Sequence, residues 1–193
     1  MKHKIAIIVG HPRKGSFCEA LGEAYAEGAR AAGHEVTLIC LSGLEFDPVL
    51  RHGFLKDEPL EPDLVPAQAA IGAADHTVWI WPLWLGFPPA LMKGFCERVL
   101  TPGFAIETLD GPSFYRPLLK GKSARVIVTM QMPAWVFRLM AGARAARTFS
   151  KQILGFVGMK PVRRTYFGMV EHVGDEKRRK WLSDVQQMGR DAA

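Results

Sequence analysis

Thr77-Val78-Trp79-Ile80-Trp81-Pro82-Leu83-Trp84-Leu85-Gly86-Phe87-Pro88-Pro89 is the stretch whose reading decides the fold. Its first five residues are continuously apolar, as in a strand buried on both faces. Pro82 ends the strand pattern. Leu83 to Phe87 form a loop, and a helix opens at Pro88-Pro89, where proline's missing N–H costs little. Leu91, Phe95 and Val99 recur at four-residue spacing, so that helix should bury one face. The loop sets large apolar and aromatic side chains at a strand's carboxyl end, where open α/β sheets bind ligands. Such a loop either receives a flat apolar ligand or packs against its own domain or a partner subunit.

The same pattern recurs along the chain. Ile5-Ala6-Ile7-Ile8-Val9 is a short apolar run that reads as a parallel strand. Gly10-His11-Pro12-Arg13-Lys14-Gly15 follows as a loop, and Ser16 with Glu19 has the spacing of a capping box. A helix should start there, with Gly33 to end it. A helix N-terminus behind a strand is a ready phosphate site. The loop lacks G-x-G-x-x-G. It has P-loop glycine spacing at Gly10 and Gly15, but Ser16 stands where the lysine belongs, which argues against nucleoside triphosphate hydrolysis. Ser16 can offer a hydroxyl and His11 a ring N–H.

Val36–Leu41, Ala124–Thr129 and Val162–Val170 read as further strands, the last suited to an edge by Arg163 and Arg164. Helices are expected from near Asp63 to Ala74, over Ala134–Ser150, over Lys151–Gly158 and from Asp175 onward. Asp175 should cap the last, which buries Trp181, Leu182, Val185 and Met188. A short helix is expected near Val49 to Phe54. Thr101–Pro117 reads as a long connection bearing Phe104, Phe114 and Tyr115.

The 193 residues suit one domain over 1–193, with 48% hydrophobic residues for its core. Cys18, Cys40 and Cys96 form neither a metal spacing nor a disulfide framework, and the latter two suit core packing. The uncharged run from Thr77 to Met92, 16 residues, is short of the roughly 20 that a spanning helix needs. No signal peptide is evident, so a cytoplasmic protein is expected. Residues 1–119 carry 10 Lys+Arg against 14 Asp+Glu; residues 120–193 carry 15 against 5. A basic half admits nucleic acid, anionic lipid or a phosphate-rich cofactor. No nucleic-acid motif is present, and Lys177-Arg178-Arg179-Lys180 reads as a solvated helix face.

Alternating strands and helices give an α/β fold, a doubly wound five-stranded parallel sheet in the flavodoxin-like order 2-1-3-4-5. Three loops then gather at its carboxyl edge: residues 10–18, 82–88 and 130–133. Together they offer a phosphate site, a flat apolar wall and a closing segment. A flavin nucleotide fits that combination.

The chain also resembles the flavodoxin-like NAD(P)H:quinone oxidoreductases, the DT-diaphorase-like family with its bacterial relatives. The resemblance is carried by Gly10-His11-Pro12 with Ser16-Phe17, by Pro82-Leu83-Trp84 through Pro89-Ala90-Leu91-Met92-Lys93-Gly94, and by Arg98-Val99-Leu100-Thr101-Pro102-Gly103-Phe104-Ala105. Leu118-Leu119-Lys120-Gly121-Lys122 and Gly155-Phe156-Val157-Gly158 add to it. It implies a bound FMN or FAD, with His11, Ser16, Phe17 and Cys18 at the phosphate. Pro82, Leu83, Trp84 and Leu85 would lie along the isoalloxazine, with Gly86 and Phe87 in the same loop. Thr129, Met130, Gln131 and Met132 would meet the ring's other edge. NAD(P)H would be the hydride donor and a quinone-like molecule the acceptor. A homodimer with the site at the subunit junction is implied, and Phe104 and Tyr115 would line a neighbour's site.

The chain departs from the family in three places. Thr129-Met130-Gln131-Met132 stands where Thr-Gly-Gly is frequent, which should reshape the pocket. Pro133 to Arg138 lacks the Tyr and His that assist proton transfer in some members, so no acid or base is assigned. Cys18 replaces a frequent asparagine. The expectation is a flavin-dependent NAD(P)H oxidoreductase, with FMN preferred and NADPH favoured by the basic half. The alternative is a regulatory flavoprotein, such as an ancillary subunit of a potassium-efflux system. A one-electron flavodoxin carrier is disfavoured by the net charge of +6.

Overall fold

The computed structural model describes residues 2–54, 58–109, 115–139 and 142–192. Five strands form one parallel sheet: β1 (Lys4–Val9), β2 (Glu35–Cys40), β3 (His76–Pro82), β6 (Ser123–Met130) and β7 (Val162–Gly168). Their order is β2-β1-β3-β6-β7. A small antiparallel hairpin, β4 (Ile106–Thr108) with β5 (Tyr115–Pro117), intervenes between β3 and β6. With the hairpin set aside, the order is the expected 2-1-3-4-5, and every pairing in the sheet is parallel.

Each central strand feeds two cores because successive side chains point to opposite faces. Trp79 and Trp81 enter one core with α2 (Leu64–Ala73), α3 (Ala90–Val99) and α5 (Arg144–Thr148). Val78 and Ile80 enter the other with α1 (Phe17–Ala31) and α6 (Asp175–Arg190). On that second face α1 and α6 meet backbone to backbone. A Cβ on Gly28 would lie 1.8 Å from the Gln186 carbonyl oxygen, and one on Gly189 would lie 2.1 Å from that of Tyr25.

The start of α1 follows the expectation. The Ser16 side chain accepts from the Glu19 N–H at 3.3 Å. The Glu19 carboxylate reaches back to the Gly15 N–H at 2.6 Å, one residue earlier than a regular capping box. At the other end Gly33, with φ +85°, follows the cap. The Gly33 and His34 N–H groups return to the Arg30 and Ala29 carbonyls, the Schellman arrangement.

Elsewhere local detail departs from the sequence pattern. Residues 51–54 form turns, not a helix. The segment ahead of α2 is instead held by Arg98, which reaches across from α3. Its Nη1 donates to Glu58 at 2.5 Å, and its Nη2 donates to Glu61 and to the Pro59 carbonyl at 2.9 Å. Arg98 is 4% exposed. In α3 itself Met92, Phe95 and Val99 are fully buried, while Leu91 is only partly so. The expected helix 134–150 is two helices, α4 (Ala134–Leu139) and α5, with Ala143 left-handed (φ 50°) ahead of α5. The expected helix from Lys151 is a π-helical continuation of α5 over Phe149–Leu154. The last strand stops at Gly168, where a Cβ would lie 2.4 Å from the Ala134 nitrogen. Gly174, not Asp175, caps α6, and Asp175 occupies its first turn. Within the connection 101–117, Phe114 lies outside the described residues.

Candidate active site

The three carboxyl-edge loops enclose an open cavity of about 430 Å³, within the usual range for ligand sites of roughly 300–1,000 Å³. It brings together His11, Ser16, Phe17 and Cys18 from the first loop, Pro82, Leu83 and Trp84 from the second, and Thr129, Met130 and Gln131 from the third. Leu85, Gly86, Phe87 and Met132 fall outside its lining.

The first loop supplies donors. The N–H groups of Ser16, Phe17 and Cys18 make no hydrogen bond among the described residues, as expected for a first helical turn. His11 Nδ1 accepts the Arg13 N–H at 3.0 Å, which leaves Nε2 as the protonated nitrogen of the neutral ring. Burial, then the Arg13 charge, holds the His11 pKa below its ordinary value. The expected ring N–H donor is therefore Nε2. The Cys18 side chain turns into the core instead. Its Sγ lies 3.2 Å from Thr129 Oγ1, and burial pushes its pKa up to about 11. Only its backbone N–H is left facing the cavity.

The second loop is a tight hairpin. Trp84 and Phe87 exchange both N–H···O bonds at 2.9 Å around Leu85 and Gly86, whose φ values are 46° and 83°. Leu83 donates its N–H to the Thr129 carbonyl at 2.8 Å. These N–H groups are therefore spent within the protein, and the loop faces the cavity with Pro82, Leu83 and Trp84 as surfaces. The Trp84 ring stands edge-on to His11 at 5.3 Å, and is 46% exposed. Leu85 is fully exposed at the turn's tip.

Sequence patterns missed a fourth wall. Arg13 and Gly15 line the cavity from the first loop; Val170, Glu171 and Arg178 line it from the connection after β7 and from α6. Arg178 donates to the Val170 carbonyl through Nε at 3.2 Å and Nη2 at 2.9 Å. It thereby clamps that connection and sets a guanidinium beside the cavity. Its place in a basic run hid this role. Arg13, Arg178 and the first turn of α1 bring positive charge to this end of the cavity, against Glu171 in the same wall and Asp175, which pairs with Arg178 at 3.6 Å. The free donors fit a phosphate, and the flat apolar wall fits an aromatic ring.

A family model described as "Flavodoxin-like fold" matches residues 3–188. The chain belongs to the flavodoxin-like fold family. Among curated members it is 36% identical over 120 residues to NAD(P)H dehydrogenase [quinone] 1 of Cavia porcellus, covering 51% of this chain and 43% of that protein. The chain thus matches less than half the length of that relative. An uncharacterized NAD(P)H oxidoreductase of Haemophilus influenzae is 28% identical over 93% of this chain and 90% of its own. Among solved flavodoxin-like structures, the NAD(P)H:quinone oxidoreductase of Methanothermobacter marburgensis superposes with a TM-score of 0.84. It is 26% identical, covering 99% of this chain and 96% of that one.

Proposed function

We propose that the chain binds a flavin nucleotide, FMN in the first instance, in the carboxyl-edge cavity and uses it as an NAD(P)H oxidoreductase toward quinones or similar two-electron acceptors. The observation that carries this reading is the joining of the unpaired N–H groups of residues 16–18 at the start of α1 to the Pro82-Leu83-Trp84 wall in one cavity. The names of the similar proteins support the donor and the acceptor class. The N–H groups of residues 16–18, His11 Nε2 and Arg13 would hold the phosphate. Trp84 and Leu83 would bear on the ring and exclude water from one face. Gln131 and Met132, whose N–H groups make no hydrogen bond among the described residues, would direct donors at its polar edge. A flavin held there would supply the two-electron chemistry that links the reduced nicotinamide to the acceptor. Protein dipoles fixed before reaction favour negative charge there. We read the protein as a homodimer located in the cytoplasm, with the exposed Tyr115 facing a second copy; Phe104 packs on its own core beside Gly72 instead.

The test is an absorption spectrum of the purified protein followed by anaerobic NADPH. A yellow protein that bleaches within seconds, and recolours on adding a quinone, is expected. Failure to bind added FMN or FAD overturns the reading. Full flavin loading with background turnover would favour the regulatory flavoprotein, which the altered 130–132 loop motivates.

A further inference from the structure

A small cavity of about 140 Å³ lies at the amino edge of the sheet, opposite the candidate active site. His76 and Ser123, the first residues of β3 and β6, line it with Ala124. Pro161 and Arg163 line it from the start of β7, and Ala192 from the end of α6. No carboxylate side chain is in this lining among the described residues. Asp75, next in sequence to His76, is engaged elsewhere. It accepts the Lys4 N–H at 2.8 Å and lies 3.9 Å from His3 Nδ1.

The polar groups behind this cavity form a chain with a fixed direction. Arg125 is 8% exposed, and a guanidinium can only donate. It donates to Thr165 Oγ1 at 2.6 Å and also bonds the Tyr25 hydroxyl. Tyr25 is fully buried, and its hydroxyl lies 3.1 Å from His76 Nε2. With the hydroxyl oxygen accepting from Arg125, the hydroxyl proton goes to that nitrogen. Burial first, then the charges of Arg125 and Arg163, hold the His76 pKa down at about 4. The ring is therefore neutral at pH 7, with its one proton on Nδ1. Nδ1 donates to Ser123 Oγ at 2.7 Å. Thr165, which also accepts, passes its own proton to Met188 Sδ at 3.9 Å. The Ser123 O–H has no such acceptor among the described residues, and Ser123 lines the cavity.

We propose that this cavity binds a small carboxylate anion. One of its oxygens accepts the Ser123 O–H, and its charge meets the Arg163 guanidinium. Arg163 is exposed and forms no ion pair among the described residues. Ala124, Pro161 and Ala192 offer an apolar wall to a short alkyl chain. The volume is well above the roughly 15 Å³ that one water needs and well below the roughly 300 Å³ at which common ligand pockets begin. It suits an anion of a few heavy atoms. Phosphate is a poorer occupant, because the apolar walls would leave most of its oxygens without a donor. A bound carboxylate would join β6, β7 and the end of α6. The inference does not depend on the flavin.

The test is thermal unfolding of the full chain at pH 7 with propionate, at an ionic strength held constant with chloride, and with propionamide as the uncharged isostere. A rise of roughly 3–6 °C is expected at about ten times the dissociation constant of propionate, and none with propionamide. The rise should vanish in Arg163→Gln and in Ser123→Ala, each compared with its own ligand-free melting temperature. Arg163 is on the surface, so its variant remains informative even where Ser123→Ala does not fold. No rise beyond that in chloride, or an equal rise with propionamide, overturns the proposal. So does a full rise in Arg163→Gln, which would place the anion elsewhere, as at the N–H groups of α1. A larger rise with inorganic phosphate than with propionate overturns the carboxylate assignment.

Discussion

Cys18 Sγ lies 3.2 Å from Thr129 Oγ1 beneath the cavity, joining the first turn of α1 to the end of β6. This contact couples two of the three loops that form the site. Thr129→Val keeps the shape but leaves the thiol without its partner. We expect a loss of about 1 kcal/mol in urea unfolding, with weaker flavin binding because the loops lose their tie.

The thiols should be silent in the folded protein. Burial pushes Cys18 and Cys40 up to about 11 and Cys96 up to about 12, and thiolate is the reactive form. Ellman's reagent at pH 8 should find no fast-reacting thiol in native protein and three in denaturant. A rapid native reaction at one thiol would show that one of these sites opens readily.

His76 should make the fold acid-sensitive. Its Nδ1 lies 2.7 Å from Ser123 Oγ and its Nε2 lies 3.1 Å from the Tyr25 hydroxyl. Burial first, then the charges of Arg125 and Arg163, lower its pKa to about 4. Between pH 6.5 and 4 the unfolded chain takes up a proton that the folded chain refuses, so stability falls as pH falls. The loss through this residue reaches about 2 kcal/mol by pH 5, roughly a 1 M shift in urea midpoint. His76→Gln should flatten the difference between the pH 7 and pH 5 midpoints. An equal shift in the variant would assign the acid sensitivity to other groups.

Arg98 should anchor the segment that crosses α3. Arg98→Met leaves Glu58 and Glu61 without their cation and should lower the melting temperature. Limited proteolysis near residues 47–61 should accelerate. A variant cut no faster than the parent would show that Pro48 packing on Gly94 suffices.

Gly28→Ala drives a methyl into the Gln186 carbonyl. A cost of about 3 kcal/mol is expected, or roughly a 6–12 °C drop in melting temperature for a chain of this size.

The architecture was legible because buried parallel strands write themselves as uninterrupted apolar runs. Ile5 to Val9 and Thr77 to Trp81 carry no competing pattern. Ser16 announced its helix because capping is a short-range event. Arg98 and Arg178 were illegible for the opposite reason. Each is an ordinary helical cation by sequence, and its partners, Glu58 and Glu61 or the Val170 carbonyl, are set by tertiary approach. Cys18 was expected beside the phosphate, and its position on α1 is correct. The direction of its side chain depends on Thr129, far away in sequence. The missed α4–α5 break turns on Gly142 and Ala143, both left-handed (φ 57° and 50°), and a lone glycine inside a helical pattern is a weak stop signal.

The glycine-mediated seating of α1 on α6 has a consequence for biosynthesis. The helix whose N-terminus would cradle a phosphate is made early. The helix it rests on, with Val185 fully buried between them, is made after the entire sheet. During translation α1 therefore waits with one flank bare, and the anion site can be fixed in place only when α6 has emerged. Loading of the proposed flavin would then be an event of the finished chain, and a ribosome-stalled fragment lacking α6 should not capture it.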